Sequence, residues 1–271
     1  MNKPDIDFDS FSKEILAAVR PIEGYLTDQE IVFLAMTALY PTTEGVVLEI
    51  GSFKGRSTVV LAKSIREISP REKIVAVDPL TSPSYTDPDL KGAKSSYDDF
   101  VANLKNAGVE NNVEFHQMFS SELARIWDRK IRLLWIDGDH TYMGARNDLE
   151  LFLPHLSNGA IVAFHDLLRL FEGPNRVFAE NILLSEHFGA FGFCRSIGWA
   201  QYFEDPKMNQ DFRKDKLKYY RKLSRLIPYS ALKSPLLLSR MEKLKFKLFR
   251  AMIPHPPLTP SQWLRELTSS D

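Results

Sequence analysis

The stretch VVLEIGSFKGRST, residues 46–58, decides the fold. Its first five residues are apolar but for Glu49, a short run of the kind a parallel strand covered on both faces requires. The chain then turns through Gly51 and Gly55 into a helical pattern. Both glycines allow the backbone close approach to a ligand, and Ser52, Ser57 and Thr58 offer hydroxyls. A dinucleotide fingerprint G-x-G-x-x-G would put a glycine at position 53, where this chain has Phe53, so the pyrophosphate approach is obstructed. The loop suits a ligand without a pyrophosphate.

Working outward, the same texture repeats in KIVAVD (73–78), NVEFH (112–116), IRLLWID (131–137) and AIVAFHD (160–166). Helical patterns over about 56–68, 95–107, 120–128, 143–154 and 175–187 separate these runs. A β-α-β-α succession with right-handed crossovers predicts an α/β fold with a doubly wound, mostly parallel sheet. Two closely spaced runs, about 190–196 and 198–203 with Gly198 between them, read as an antiparallel hairpin at the sheet edge. Upstream, Phe11, Ile15 and Val19 recur at helical spacing, and Thr27 with Glu30 forms a capping box before Ile31, Phe33 and Leu34. The chain therefore divides into lead-in helices (1–45), a ligand-binding domain (46–205) and, after Pro206, an extension (206–271).

Ligands of open parallel sheets bind beyond the carboxyl ends of the strands. Asp78 ends the second run, where a carboxylate accepts hydrogen bonds from both hydroxyls of a ribose. Together with the first loop it points to a nucleoside ligand. WIDGDHTY (135–142) and FHD (164–166) bring Asp137, Asp139, His140, His165 and Asp166 to one sheet edge. Carboxylates from adjacent strands bind a hard divalent cation such as Mg²⁺, while Asp139 or His140 is a candidate general base. The structural alternative is that Asp137 caps a turn and the histidines satisfy backbone carbonyls. His116, after the third run, borders a nucleobase or is a half-buried strand end; His155 and His187 sit where a cation offsets a helix dipole. The polar segment 79–99 is either a lid or an ordinary long surface loop.

The 271 residues carry 35 Lys and Arg against 35 Asp and Glu. That neutrality is a cancellation: residues 206–271 hold 15 basic against 5 acidic side chains, leaving 20 against 30 in residues 1–205. In the extension, two helices are expected over 210–226 and 235–253. In the second, Leu237, Met241, Leu244, Leu248 and Met252 share a face, with Arg240, Lys243, Lys247 and Arg250 along the opposite flank. Such a helix lies on an anionic membrane surface, or packs on its own ligand-binding domain or a second subunit of a homo-oligomer. Nucleic acid is a poor partner, since no aromatic-rich RNA motif accompanies the charge. The single Cys194 excludes an intrachain disulfide, and MNKPDIDFDS has no signal-peptide pattern, so a reducing, cytoplasmic setting is expected, with peripheral membrane attachment open.

From residue 23 to 203 the sequence resembles the class I S-adenosylmethionine-dependent methyltransferases, in particular the branch of macrocin O-methyltransferase-like and cephalosporin-hydroxylase-like proteins. The resemblance rests on EIGSFKGRST (49–58), the acid of VAVDPL (75–80) and the run from Trp135 to Asp166. It implies a seven-stranded Rossmann-like sheet with a reversed final strand. It also implies that Glu49, Gly51, Ser52 and Ser57 hold the methionine part of S-adenosyl-L-methionine, that Asp78 holds the ribose, and that Ser120 approaches the adenine. Several members bind a divalent metal through residues that map onto Asp137, His165 and Asp166; here His165 replaces an acid. Asp139 aligns with the residue considered as base in some members, and His140 competes with it. The implied reaction is O-methylation of a hydroxyl on a small molecule, sugar or glycan. A non-methylating, hydroxylase-like activity and a non-catalytic S-adenosyl-ligand-binding module tethered by its tail are the alternatives.

Overall fold

The computed structural model describes residues 6–81, 95–231 and 238–267. Seven strands, β1 (Val46–Ile50), β2 (Ile74–Val77), β3 (Val113–His116), β4 (Ile131–Ile136), β5 (Leu156–Phe164), β6 (Phe188–Cys194) and β7 (Ile197–Tyr202), form one sheet. Its order is β3-β2-β1-β4-β5-β7-β6, parallel except for β7, which is antiparallel to both β5 and β6. The doubly wound sheet with a reversed last strand agrees with the sequence-based expectation.

Helices flank both faces: α1 (Phe8–Val19), α2 (Asp28–Leu39), α3 (Arg56–Ile68), α4 (Tyr97–Asn106), α5 (Ser120–Leu123), α6 (Tyr142–Phe152) and α7 (Glu172–Val177). The extension adds α8 (Arg213–Leu223), α9 (Ile227–Ala231), α10 (Arg240–Ala251) and α11 (Pro260–Glu266). Alternate strand residues feed two apolar clusters, as a period of two demands. Val47, Ala76, Leu133, Trp135 and Ala163 pack with α1, α2 and α3; Leu48, Val77, Leu134, Ile136 and Phe164 pack with α6 and α7. Both layers exclude water, which is why the strands are apolar on both sides. Trp263 of α11 belongs to the first cluster, fully buried and edge-on to Phe33 and Trp199.

Several boundaries differ from the sequence reading. The hairpin turns at Arg195-Ser196, and Gly198 lies inside β7 opposite Phe164, where a Cβ would press on Leu167 and Phe178. β5 begins at Leu156, and its pairing with β4 shifts register between Ile131 and Leu133. The helix expected at 175–187 starts at Glu172 and widens to π geometry over Phe178–Leu183, keeping Phe178, Ile182 and Leu183 in the core. Residues 82–94 of the segment read as lid or loop lie outside the described residues. Among the described residues, no helix is long and apolar enough to cross a membrane.

Candidate functional site

Ladder hydrogen bonds run past the strand ends and fix the first residue of each following loop. Gly51 N donates to Val77 O, Asp137 N to Ile50 O, His165 N to Ile136 O and Asp78 N to His116 O. The chemistry-bearing side chains are therefore carried on rigid backbone around a cleft of about 490 Å³, a size suited to a small ligand. Gly51 has φ +88°, and a Cβ there would collide with the Asp137 carbonyl, so glycine is required on both counts.

Under the first loop, Glu49 is fully buried. Its Oε2 accepts from Ser52 Oγ (3.0 Å) and Thr58 Oγ1 (2.6 Å), while Oε1 has no partner. Burial raises the carboxyl to about 7, against the lowering effect of the Ser57, Thr58 and Ser52 hydroxyls. Asp78 bridges the first two loops: Oδ2 accepts from Ser52 N (2.7 Å) and Phe53 N (2.9 Å), Oδ1 from Leu80 N (2.7 Å). A carboxylate accepts about four hydrogen bonds, so roughly one site is left for a ligand hydroxyl. Burial pushes Asp78 upward despite those amides. Ser120 Oγ donates to Asp148 Oδ1 at 2.5 Å, and Phe119, Ser120 and Ser121 line the same cleft. Asp148, which the sequence reading passed over, is raised to about 6 by burial.

The second half of the cleft is a charged cluster. His165 Nδ1 donates to Asp137 Oδ1 (3.0 Å), and its Nε2 lies 3.8 Å from Glu30 Oε2. His140 Nε2 is 3.1 Å from Asp166 Oδ2, its ring stacks on Phe171 with centroids 4.3 Å apart, and Arg169 Nε is 3.0 Å from Asp166 Oδ1. Burial disfavours the charge on His165, but Asp137, Asp166 and Glu30 outweigh it and hold the imidazole well above its usual range. His140 is raised in the same way, burial being outweighed mainly by Asp166. Burial raises Glu30 and Asp166, yet the facing cations win: His165, with Ser196, holds Glu30 well below the ordinary carboxylate range, and His165, His140 and Arg169 lower Asp166.

Of the residues read as metal ligands, Asp137 and Asp166 approach one another, and the third ligand atom within 4.8 Å comes from His140. His165 lies beneath, with both nitrogens turned to carboxylates. Both ring nitrogens of His140 and Asp166 Oδ1 are buried without a well-aligned hydrogen bond, as an N/O donor set open to a cation would be. Asp139 is exposed; Oδ1 accepts from Thr141 N (2.7 Å), and Oδ2 lies against Gly144.

Glu30 is the main residue that sequence reasoning missed as a site residue. Its capping box with Thr27 forms as expected, Thr27 N donating to Oε2 at 2.8 Å, but the carboxylate also accepts from Ser196 N and Oγ and faces His165. The capping pattern had assigned it a local task, and nothing in the sequence links position 30 to 165.

Residues 48–167 match the family model described as a methyltransferase domain. Among solved structures, the O-methyltransferase NovP superposes with a TM-score of 0.57 at 12% identity, over 73% of this chain and 100% of that one. TomG, an O-methyltransferase from Streptomyces achromogenes involved in tomaymycin synthesis and solved with SAM, gives 0.50 at 15%, over 73% and 91%. An O-methyltransferase from Bacillus cereus in complex with SAH gives 0.50 at 16%, over 73% and 92%. At these identities the structures establish a shared fold. The matched residues 48–167 include the first loop and Asp137, His140, His165 and Asp166, in agreement with the resemblance read from the sequence.

Proposed function

We propose that this protein moves the methyl group of S-adenosylmethionine to a hydroxyl oxygen of a small molecule, sugar or glycan. The observation that carries the reading is the pairing, in one cleft, of the first loop, with the buried Glu49 beneath it, and a wall of carboxylate and imidazole side chains at the ends of β4 and β5. TomG and the Bacillus cereus enzyme, solved with SAM and SAH, lend support through the common fold.

Glu49 Oε1, a buried carboxylate oxygen without a hydrogen-bond partner beneath the first loop, suits the ammonium of the methionine moiety, with Gly51, Ser52 and Ser57 lining the cleft above it. Asp78 takes a ribose hydroxyl, and Ser120 with Phe119 and Ser121 borders the adenine. The sulfonium methyl is already electrophilic, so the protein must hold an oxygen in line with the S–CH₃ bond and accept its proton. As the O–C bond forms and the C–S bond breaks, S-adenosylhomocysteine leaves and the proton passes to Asp139, an exposed carboxylate that lines the cleft. His140, held beside Asp166 at 3.1 Å, lines the same cleft and orients the acceptor oxygen.

Asp137, His140 and Asp166 also fit a divalent cation, with His165 and Glu30 steadying the ligands. When bound, the ion would orient a vicinal diol and lower the hydroxyl pKa. An imidazole in the set favours a metal softer than Mg²⁺. We assign this chemistry to residues 46–205, with 1–45 adding Glu30 and 206–271 forming a helical extension.

Calorimetry with S-adenosylmethionine and S-adenosylhomocysteine tests the cofactor assignment; no binding of either at about millimolar concentration, where a Kd is worth only ~4 kcal/mol, ends it. Asp139→Asn should cut turnover by about 10²- to 10⁴-fold, the range for general-base loss, with S-adenosylhomocysteine affinity unchanged. Full turnover in that variant would remove Asp139 from the base role.

A further inference from the structure

Among the described residues, the packing of α10 leaves one face without a partner. Phe246 and Ile253 are buried and Phe249 half-buried, with Tyr229 against both phenylalanine rings, so the helix holds to the body by that side. On another side, Met241, Leu244, Leu248 and Met252 recur at spacings of three, four and four and remain 60, 51, 59 and 45% exposed. This is the apolar face expected from sequence, apart from Leu237, which lies outside the described residues. Exposed apolar side chains are ordinary when scattered; four in a row on one short helix are a surface built to be covered.

The edges of that row are basic. Arg240 and Lys247 flank one side and Lys245 the other; Lys243 is exposed as well, and Glu242 is the helix's one acid. At its end, Lys222 Nζ of α8 donates to the Met252 carbonyl (2.8 Å), and the Arg225 guanidinium lies 3.9 Å from Met252 sulfur. Helix α8 adds exposed Arg213, Lys214, Lys218 and Arg221.

We propose that α10 docks on an anionic lipid bilayer, its axis in the membrane plane, with Met241, Leu244, Leu248 and Met252 entering between headgroups. The flanking lysines and arginines pair with lipid phosphates, as interfacial amphipathic helices do. A second copy of this chain is a poorer occupant, because a two-fold contact through the row sets Lys245 and Lys247 against their own counterparts. The docked helix is tied to the catalytic body at the β6–β7 turn: Arg195 N donates to His255 O (3.1 Å), and adjacent Ser196 holds Glu30. The inference stands apart from the methyl-transfer reading and is tested without it.

The test is flotation of the full chain with phosphatidylcholine vesicles, alone or with about a third phosphatidylglycerol, at about 0.1 M salt, where the screening length is ~10 Å. Anionic vesicles should carry about tenfold more protein than neutral ones, and raising the salt to about 0.5 M should remove most of it. The double variant Leu244→Asp, Leu248→Asp changes only exposed side chains, should melt as the parent does, and should not float. Lys245→Glu with Lys247→Glu should reduce flotation about tenfold or more, each basic residue near the surface being worth ~1 kcal/mol. Absence of the parent protein from anionic vesicles overturns the proposal, as does undiminished flotation of the Leu244, Leu248 variant. A parent dimer that the Leu244, Leu248 variant dissociates, with no vesicle binding, also overturns it and assigns the face to a second copy.

Discussion

Glu49 offers a perturbation whose magnitude and sign both follow from its surroundings. Folding takes its carboxyl from 4.5 to about 7, through burial that three hydroxyls only partly offset. At ~1.4 kcal/mol per unit the difference is worth about 3 kcal/mol, an upper figure because replacement of the carboxylate also disturbs its hydroxyl partners. An acid whose pKa is raised in the fold contributes its full stability below the unfolded value. That stability is lost as the pH rises, here between about 4.5 and 7, and stays lost above. Glu49→Gln keeps the shape and removes the charge. The stability of the variant relative to the parent should therefore climb from about pH 5 and level off above pH 7, by as much as ~3 kcal/mol. Urea unfolding at several pH values between 5 and 8 reads this directly. The same substitution should weaken S-adenosylhomocysteine binding, since a neutral amide meets the ammonium in place of a carboxylate. In the parent near pH 7, cofactor binding should release protons as Glu49 ionises, which calorimetry in buffers of different ionisation heat detects. A stability difference that is flat from pH 5 to 8 would refute the account of Glu49 as a carboxyl strained by burial.

Further expectations concern other parts of the molecule. Gly51→Ala combines a positive φ with a collision against the Asp137 carbonyl, so it should cost more than the ~1 kcal/mol of a simple left-handed glycine replacement and lower the melting temperature clearly. Trp263→Ala empties a fully buried site between Phe33 and Trp199 and should destabilise the whole chain by about 3–5 kcal/mol; a single unfolding transition moved downward would show that α11 belongs to the main cooperative unit. Mn²⁺ binding, followed by calorimetry, should weaken about tenfold or more in Asp166→Asn and in His140→Ala if these side chains are ligands. Equal affinity in parent and variants would separate the charged cluster from metal binding.

The sheet was legible because the inner parallel strands β1, β2 and β4 are buried on two faces and must be written as apolar runs, and because the loops that follow carry the polar residues. Gly51, Asp78, Asp137, His140, His165 and Asp166 could all be located from that rule, since a strand end in sequence is a sheet edge in space. Boundaries were less legible: nothing local distinguishes a turn at Arg195-Ser196 from one at Gly198, because the choice depends on the packing of Leu167 and Phe178 against β7. The amphipathic pattern of α10 was readable, but which side would be covered was not. The helix turns its Phe246 and Phe249 side inward and leaves its methionine and leucine row outside.

What the sequence determined by itself is thus what depends on residues close along the chain: strand, turn, cap and the residue types at each strand end. What only the tertiary structure decided is which of those groups meet. Glu30 reads as a helix cap and is one, yet it also faces His165 from 135 positions away. That approach, and the pairing of His140 with Asp166, shift the protonation equilibria of the cluster, because electrostatic partners in a buried cleft are chosen by distance in space and by the exclusion of water.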